Sequence, residues 1–328
     1  MKIATYMPRT AQSPNAGVGA VLDGTLIDLN YAYARYLRSV DGELRAYELA
    51  AARIPRDMVG FLQGGERAND AAKRTVQFIQ EASGQGATGI SGERLRYDLQ
   101  EVRLLAPILR PGKILGAGKN YLDHVREAAI GSDAVEIQPF PRGFVKVSSA
   151  VIGPDDPVIL PHVTTQLDYE VELAVVIGKP GRYISRARAY DYVAGYTILN
   201  DISARDIQAA ESKYGNHMIA KNMDTLSPMG PWIVLKDEIP DPMHLDVRLS
   251  INGELRQHAS TSSLIHDIPA MIERWSWGTL EPGDVIATGT PAGVALGGKY
   301  PYLQAGDLME CEVERVGKLQ NRVVPEPA

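Results

Sequence analysis

Leu167-Asp168-Tyr169-Glu170-Val171-Glu172-Leu173-Ala174-Val175-Val176-Ile177-Gly178 is the stretch on which the fold turns. Alternate side chains of a β-strand share a face, so Asp168, Glu170 and Glu172 project one way while Tyr169, Val171 and Leu173 project the other. From Ala174 to Ile177 the run is apolar on both faces, which carries the strand into a core. Carboxylates on such a strand must be paired or bound to a cation to offset desolvation. A solvated face of a half-buried strand is the plainer alternative, because surface carboxylates are common.

Working outward, the region from Lys113 onward is strand-rich. Val158–Leu160, Val193–Leu199, Trp232–Leu235, Leu245–Ile251 and Leu308–Val316 are dense in β-branched and apolar residues, and turn pairs such as Asn252-Gly253, Pro282-Gly283 and Ala305-Gly306 separate them. Helical stretches are few: Tyr121–Ala129, Ala204–Glu211 and His266–Trp277. Strand and crossover helix do not alternate, which argues against a doubly wound sheet. The first hundred residues differ, with short strands over 2–6 and 17–28 turning at Asp23-Gly24, then helical spacing over Asn30–Ser39, Glu43–Arg53, Met58–Leu62 and Glu66–Ala82. Breakers at Gly84-Gln85-Gly86 and at Pro107, Pro111 and Gly112 place a boundary near residues 100–112. The expected fold is α+β and mostly β, with a small α+β unit over 1–105 and a larger unit over 106–328.

Composition narrows the function. The chain has 328 residues, 45 % apolar and 23 % charged, which is ordinary globular composition. Its 34 basic and 40 acidic side chains give a net charge of −6 without long runs of either sign, so no basic face is evident for nucleic acid or anionic lipid. A small-molecule partner is the default. The one cysteine, Cys311, cannot form an internal disulfide and reads as an apolar filler in a strand. The apolar stretch in Met1–Met7 is too short for a signal peptide, and no apolar run reaches the ~20 residues of a membrane span. The expected location is the cytoplasm.

Two motifs mislead. Gly116-Ala117-Gly118-Lys119-Asn120-Tyr121 resembles a dinucleotide loop, but a tyrosine stands at the third glycine and no βαβ unit surrounds it. Gly289-Thr290-Pro291 and Gly297-Gly298-Lys299 lack the spacing of a phosphate loop, and no Gly-x-Ser-x-Gly elbow is present. These are turns. A second apolar strand, Tyr196-Thr197-Ile198-Leu199-Asn200-Asp201, ends in an acid that can meet Glu170 and Glu172 if the two strands are neighbours. Three oxygen ligands, without cysteine or histidine at metal spacing, point to a hard cation such as Mg²⁺ or Mn²⁺ with water completing its shell.

Gly118–His124, Leu167–Gly178, Ala194–Gln208, Lys221–Trp232 and Thr279–Gly293 together resemble the fumarylacetoacetate hydrolase family, in order, from about Ile114 to Val324. The resemblance implies a mixed β-sandwich or roll as the catalytic domain, a divalent cation held by carboxylates, 2-oxo acid substrates, and homodimers. Carried over residue by residue, it makes Glu170, Glu172 and Asp201 the metal carboxylates, and His124 and Glu127 the pair on a lid. The spacing agrees: at i and i+3 of a short helix a carboxylate can orient an imidazole and raise its basicity. Lys221 is implied as a catalytic group facing an oxyanion. Arg205, Gln208, Thr290 and Tyr121 are implied to bind substrate, and Thr225 to support the metal from behind. Ala117 stands where some members supply a fourth acid, so the three-carboxylate form is expected, and fumarylacetoacetate itself is not assigned by analogy.

The leading expectation is hydrolytic C–C cleavage of an acylpyruvate-like 2,4-dioxo acid in aromatic or related carbon catabolism. Alternatives are decarboxylation or enol–keto isomerisation of a 2-oxo diacid, a hydro-lyase reaction on a 2-oxo sugar acid, and a catalytically silent metal-binding scaffold. Substrate preference points to the distal pocket, for which Ile130–Pro141 is a candidate by position.

Overall fold

In the computed structural model, residues 1–10, 16–81, 88–128 and 137–327 are described. The proposed connection Gly84-Gln85-Gly86 and residues 130–136 of the distal-pocket segment lie outside them. A twelve-stranded sheet forms the spine. Its central strand Val171–Ile177 is fully buried, pairs antiparallel with Val193–Asn200 and with Val285–Ala287, and so has apolar residues on both faces. Beyond Val285–Ala287 come Ile114–Gly118, in parallel, and Arg142–Lys146 at the edge. On the other side, Ser227–Leu235 pairs with the N-terminal strand Lys2–Pro8, so the strands of the first hundred residues extend the same sheet. Ile3, Ile27, Ala174, Leu199 and Ile233 consequently share one buried cluster.

A five-stranded sheet packs against the other face. It runs Glu254–Ser260, Asp246–Ile251, Leu308–Val313, Gly317–Pro325 and Val158–Leu160, and its inner residues, including Cys311, join Leu173, Val175 and Tyr196 in a second buried cluster. Burial pushes the Cys311 thiol up, as suits a filler and not a nucleophile. The result is the mixed sandwich that the family resemblance implies. Asn252 and Gly253 both take positive φ, the geometry of a two-residue hairpin, and close the strands at 246–251 and 254–260. Among the described residues no helix is long and apolar enough to cross a membrane.

The decisive stretch is not one strand. Leu167–Asp168 pairs with Ser203–Ala204 in a small two-stranded sheet, and regular pairing resumes only at Val171. Side chains take the intervening amides: Asp168 Oδ1 accepts from Tyr169 N, Asn200 Oδ1 from Glu170 N, and Gln257 Oε1 from Val171 N. This break ends the alternation, and Asp168 stays outside the cluster of oxygens that Glu170 and Glu172 form with Asp201. The expected strand at Trp232–Leu235 begins earlier, at Ser227, running through two prolines and a glycine, and the largely polar Glu254–Ser260 is a strand that the sequence pattern did not announce.

Candidate active site

Asp201 immediately follows the strand Val193–Asn200, and Val171 pairs with Asn200 across the ladder. This register, with Asp201 N donating to Glu170 O, draws Glu170, Glu172 and Asp201 together so that one carboxylate oxygen from each lies within 4.8 Å of the others. All three are buried. Three basic side chains are buried with them, of which Lys146 has its ammonium pushed below the usual range by burial, against the pull of Asp201. Lys221 Nζ bonds Glu170 Oε2 at 2.7 Å and Asp201 Oδ2 at 2.5 Å; Lys146 Nζ bonds Asp201 Oδ1 at 2.6 Å; Arg205 bonds Glu170 Oε1 at 2.6 Å and Asp168 Oδ2 at 2.7 Å.

With Asp168 included, four buried carboxylates face three buried basic side chains, and among the described residues Glu172 is the one that none of them contacts. It accepts one hydrogen bond, 2.8 Å from Gly289 N. Burial, with Asp201 and Glu170 adding, pushes its carboxyl well above the usual range. At Glu170 burial also opposes the charge, but Lys221 and Arg205 more than reverse it and hold that carboxyl below the usual range. A surplus buried negative charge bounded by hard oxygens suits a divalent cation, so the donor set fits Mg²⁺ or Mn²⁺. Gly289 makes the close approach possible. Its φ is 95°, and a Cβ there would sit 2.8 Å from the Cβ of Asn120.

A cavity of about 430 Å³ opens over this cluster. Of the residues singled out from sequence, His124, Glu170, Glu172, Arg205, Gln208, Lys221 and Thr290 line it. His124 stands on the helix Leu122–Ala128, with Nδ1 3.4 Å from Glu127 Oε2. Glu127 in turn accepts from Gly293 N at 3.0 Å, which docks the helix on the turn that also carries Gly289 and Thr290. Nδ1 faces the carboxylate, so Nε2 is the nitrogen left for the cavity. Gln208 Oε1 accepts from Arg205 Nη1 at 2.9 Å, so its amide NH₂ is the group available to a ligand.

Three of the expected residues sit elsewhere or are otherwise engaged. Thr290 lines the cavity, but its hydroxyl donates to Val171 O and accepts from Gln257 Nε2, so its proton is already committed. Tyr121 is buried near Glu172 without lining the cavity. The hydroxyl of Thr225 accepts from Ile159 N, and among the described residues no hydrogen bond joins it to the carboxylates. Lys146 was not anticipated. It ends the strand Arg142–Lys146 wholly buried, and the only signal was a lysine in step with Phe144 on a short strand.

Arg205 holds this cluster together, and its loss is measurable. Arg205→Met leaves Asp168 and Glu170 buried without their shared cation, which is expected to cost ~3–5 kcal/mol of unfolding free energy by chemical denaturation. Arg205→Lys recovers only part of it, because a single ammonium cannot reproduce the fork that meets both acids and Gln208. Equal stability of wild type and Arg205→Met would contradict the assignment.

Residues 113–324 match the family model described as fumarylacetoacetate (FAA) hydrolase C-terminal. The chain is 42 % identical over 286 residues to the oxaloacetate tautomerase YisK of Bacillus subtilis (strain 168), covering 86 % of this chain and 90 % of that protein. It is 34 % identical over 328 residues to the mitochondrial oxaloacetate tautomerase Fahd2a of Rattus norvegicus, covering 99 % of this chain and 92 % of the other. Among solved structures it is similar to maleylpyruvate hydrolase from Sphingobium sp. SYK-6 in complex with manganese(II) and pyruvate, with 29 % identity, a TM-score of 0.71 and full coverage of both chains.

Proposed function

The chain belongs to the fumarylacetoacetate hydrolase family of enzymes, and from that premise we propose that it interconverts the enol and keto forms of a 2-oxo dicarboxylic acid of the oxaloacetate class. The observation that carries this reading is the likeness, over most of each chain, to two proteins described as oxaloacetate tautomerases. This moves the preferred activity from hydrolysis to isomerisation, with the same residues in charge of it. Glu170, Glu172 and Asp201 would hold Mg²⁺ or Mn²⁺. When bound, such a cation supplies a Lewis acid that stabilises the enolate form of a 2-oxo acid.

The chain's own residues supply proton transfer and positioning. Tautomerisation releases one proton from the C2 hydroxyl of the enol to solvent water and adds one at C3, so the mass is unchanged and no bond between heavy atoms breaks. His124, oriented by Glu127, offers Nε2 as the site that gives or takes the C3 proton. The free NH₂ of Gln208, with the ammonium of Lys221 beside the carboxylates it bonds, would hold the C2 oxygen as its charge develops. Their shared cavity confines the reacting acid beside these groups.

The test is product analysis with oxaloacetate. The expected result is faster decay of the enol absorbance than in buffer, with neither pyruvate nor carbon dioxide released, lost in EDTA and restored by Mn²⁺ or Mg²⁺. Unchanged decay at saturating metal would reject the reading. The likeness to a maleylpyruvate hydrolase favours a second one, hydrolytic C–C cleavage with His124 activating water. It predicts two acids from a 2,4-dioxo acid such as maleylpyruvate.

A further inference from the structure

The edge strand Arg142–Lys146 sets a ladder of side chains along the cavity. Lys146, Phe144 and Arg142 alternate onto one face. Lys146 reaches the floor at Asp201. Phe144 forms the middle rung: Lys221 Nζ lies 4.7 Å from its ring centroid, and the ring seats on Gly116, where a Cβ would come within 2.4 Å of it. Arg142 is the outer rung and lines the mouth. At ~3.3 Å per residue it stands about 13 Å from Lys146 along the strand.

Charge at the two ends differs in kind. Both carboxylates that line the cavity, Glu170 and Glu172, belong to the floor. The mouth carries Arg142, Lys119 and His217, with no acid among the described residues that line it. Arg142 makes no ion pair among the described residues; its one hydrogen bond is from Nη2 to His217 Nε2 at 2.9 Å. A guanidinium can only donate, so His217 accepts there as a neutral imidazole, with Nδ1 left to face Ser212 Oγ at 3.2 Å. The contact fixes the direction of the guanidinium and leaves most of its donors free.

We propose that Arg142, aligned by His217 at the cavity mouth, binds the distal carboxylate of the substrate and so selects 2-oxo dicarboxylic acids over 2-oxo monocarboxylic acids. The selection rests on the tautomerase reading only for what is turned over; the binding preference stands on the charge and geometry of the mouth. A planar guanidinium meets a carboxylate with two parallel hydrogen bonds, which a point charge such as Lys119 does not provide.

Matched ligands test this. In Mn²⁺, binding of pyruvate, which has no distal carboxylate, is compared by calorimetry with 3,3-difluorooxaloacetate, which has one and cannot enolise. Arg142→Gln is expected to weaken the dicarboxylate about 10- to 100-fold, the worth of a charge-assisted hydrogen bond, with pyruvate changed less than about twofold. Arg142→Lys should restore part of the dicarboxylate affinity, and His217→Phe should lose a smaller share than Arg142→Gln. Equal weakening of both ligands, or an unaltered dicarboxylate affinity, overturns the assignment. If the wild type prefers the dicarboxylate through Arg142 but does not accelerate enol decay, the tautomerase reading fails while the distal site stands.

Discussion

Replacing Glu172 with glutamine is expected to stabilise the metal-free protein while abolishing its response to metal. Among the described residues Glu172 is buried with one hydrogen bond, from Gly289 N, and the charges that act on it most, Asp201 and Glu170, are of its own sign, with Lys221 opposing them more weakly. The amide keeps an oxygen for Gly289 and removes the surplus charge. A gain of ~1–3 kcal/mol in EDTA is expected, the scale of a badly satisfied buried polar group. The pH dependence gives the sign. An unfolded glutamate ionises near 4.5, and the folded one only well above it, so the folded state holds its proton more tightly. This linkage makes wild-type stability fall as pH rises above about 4.5, and the variant escapes that fall, so the difference between the two widens from pH 4 towards neutrality. With Mn²⁺ added the order reverses, because wild type gains binding free energy that the variant does not. Turnover should drop by about 10³-fold or more, since several kcal/mol of charge stabilisation in the reaction disappear. Melting curves in EDTA and in Mn²⁺ decide it; a Glu172→Gln protein that Mn²⁺ stabilises as much as wild type removes Glu172 from the ligand set.

That asymmetry was partly legible before the fold was known. Alternation alone put Glu170 and Glu172 on one face, and the acid at the end of Tyr196–Asp201 supplied the third oxygen once the strands were neighbours. Asp168 was grouped with them for the same reason, and here the local rule failed. Asp168, Asn200 and Gln257 take the backbone amides at 169–171, so the chain leaves the pleat for two residues. Asp168 instead holds Arg205 and accepts from Ala295 N and Leu296 N, which fixes the loop beyond Thr290. Tertiary hydrogen bonds of this kind leave no periodic trace. Lys146 and Arg142 were invisible for a related reason: a five-residue edge strand carries too little pattern to announce a face, and a lysine's partners across 55 residues cannot be read from spacing. His124 and Glu127 lie three residues apart, within one helical turn, and local spacing sufficed.

His124→Asn carries the second large effect, and it separates chemistry from metal binding. His124 contacts Glu127 and the cavity and makes no hydrogen bond to Glu170, Glu172 or Asp201 among the described residues. Mn²⁺ should therefore stabilise the variant as it does wild type, while the maximal rate falls ~10²–10⁴-fold, the usual share of a positioned general acid or base. KM should change little, because the lost step is proton transfer and not binding. Exchange of the C3 hydrogens of oxaloacetate with D₂O gives the direct readout: wild type catalyses it, and the variant should not. Glu127→Gln is the milder case. Its amide can still accept from Gly293 N and keep the helix docked, but it no longer offers a charge to His124 Nδ1, so exchange slows without vanishing. Should His124→Asn exchange at the wild-type rate, His124 is not the proton-transfer group, and Lys221, which lines the same cavity and bonds Glu170, is the next residue to test.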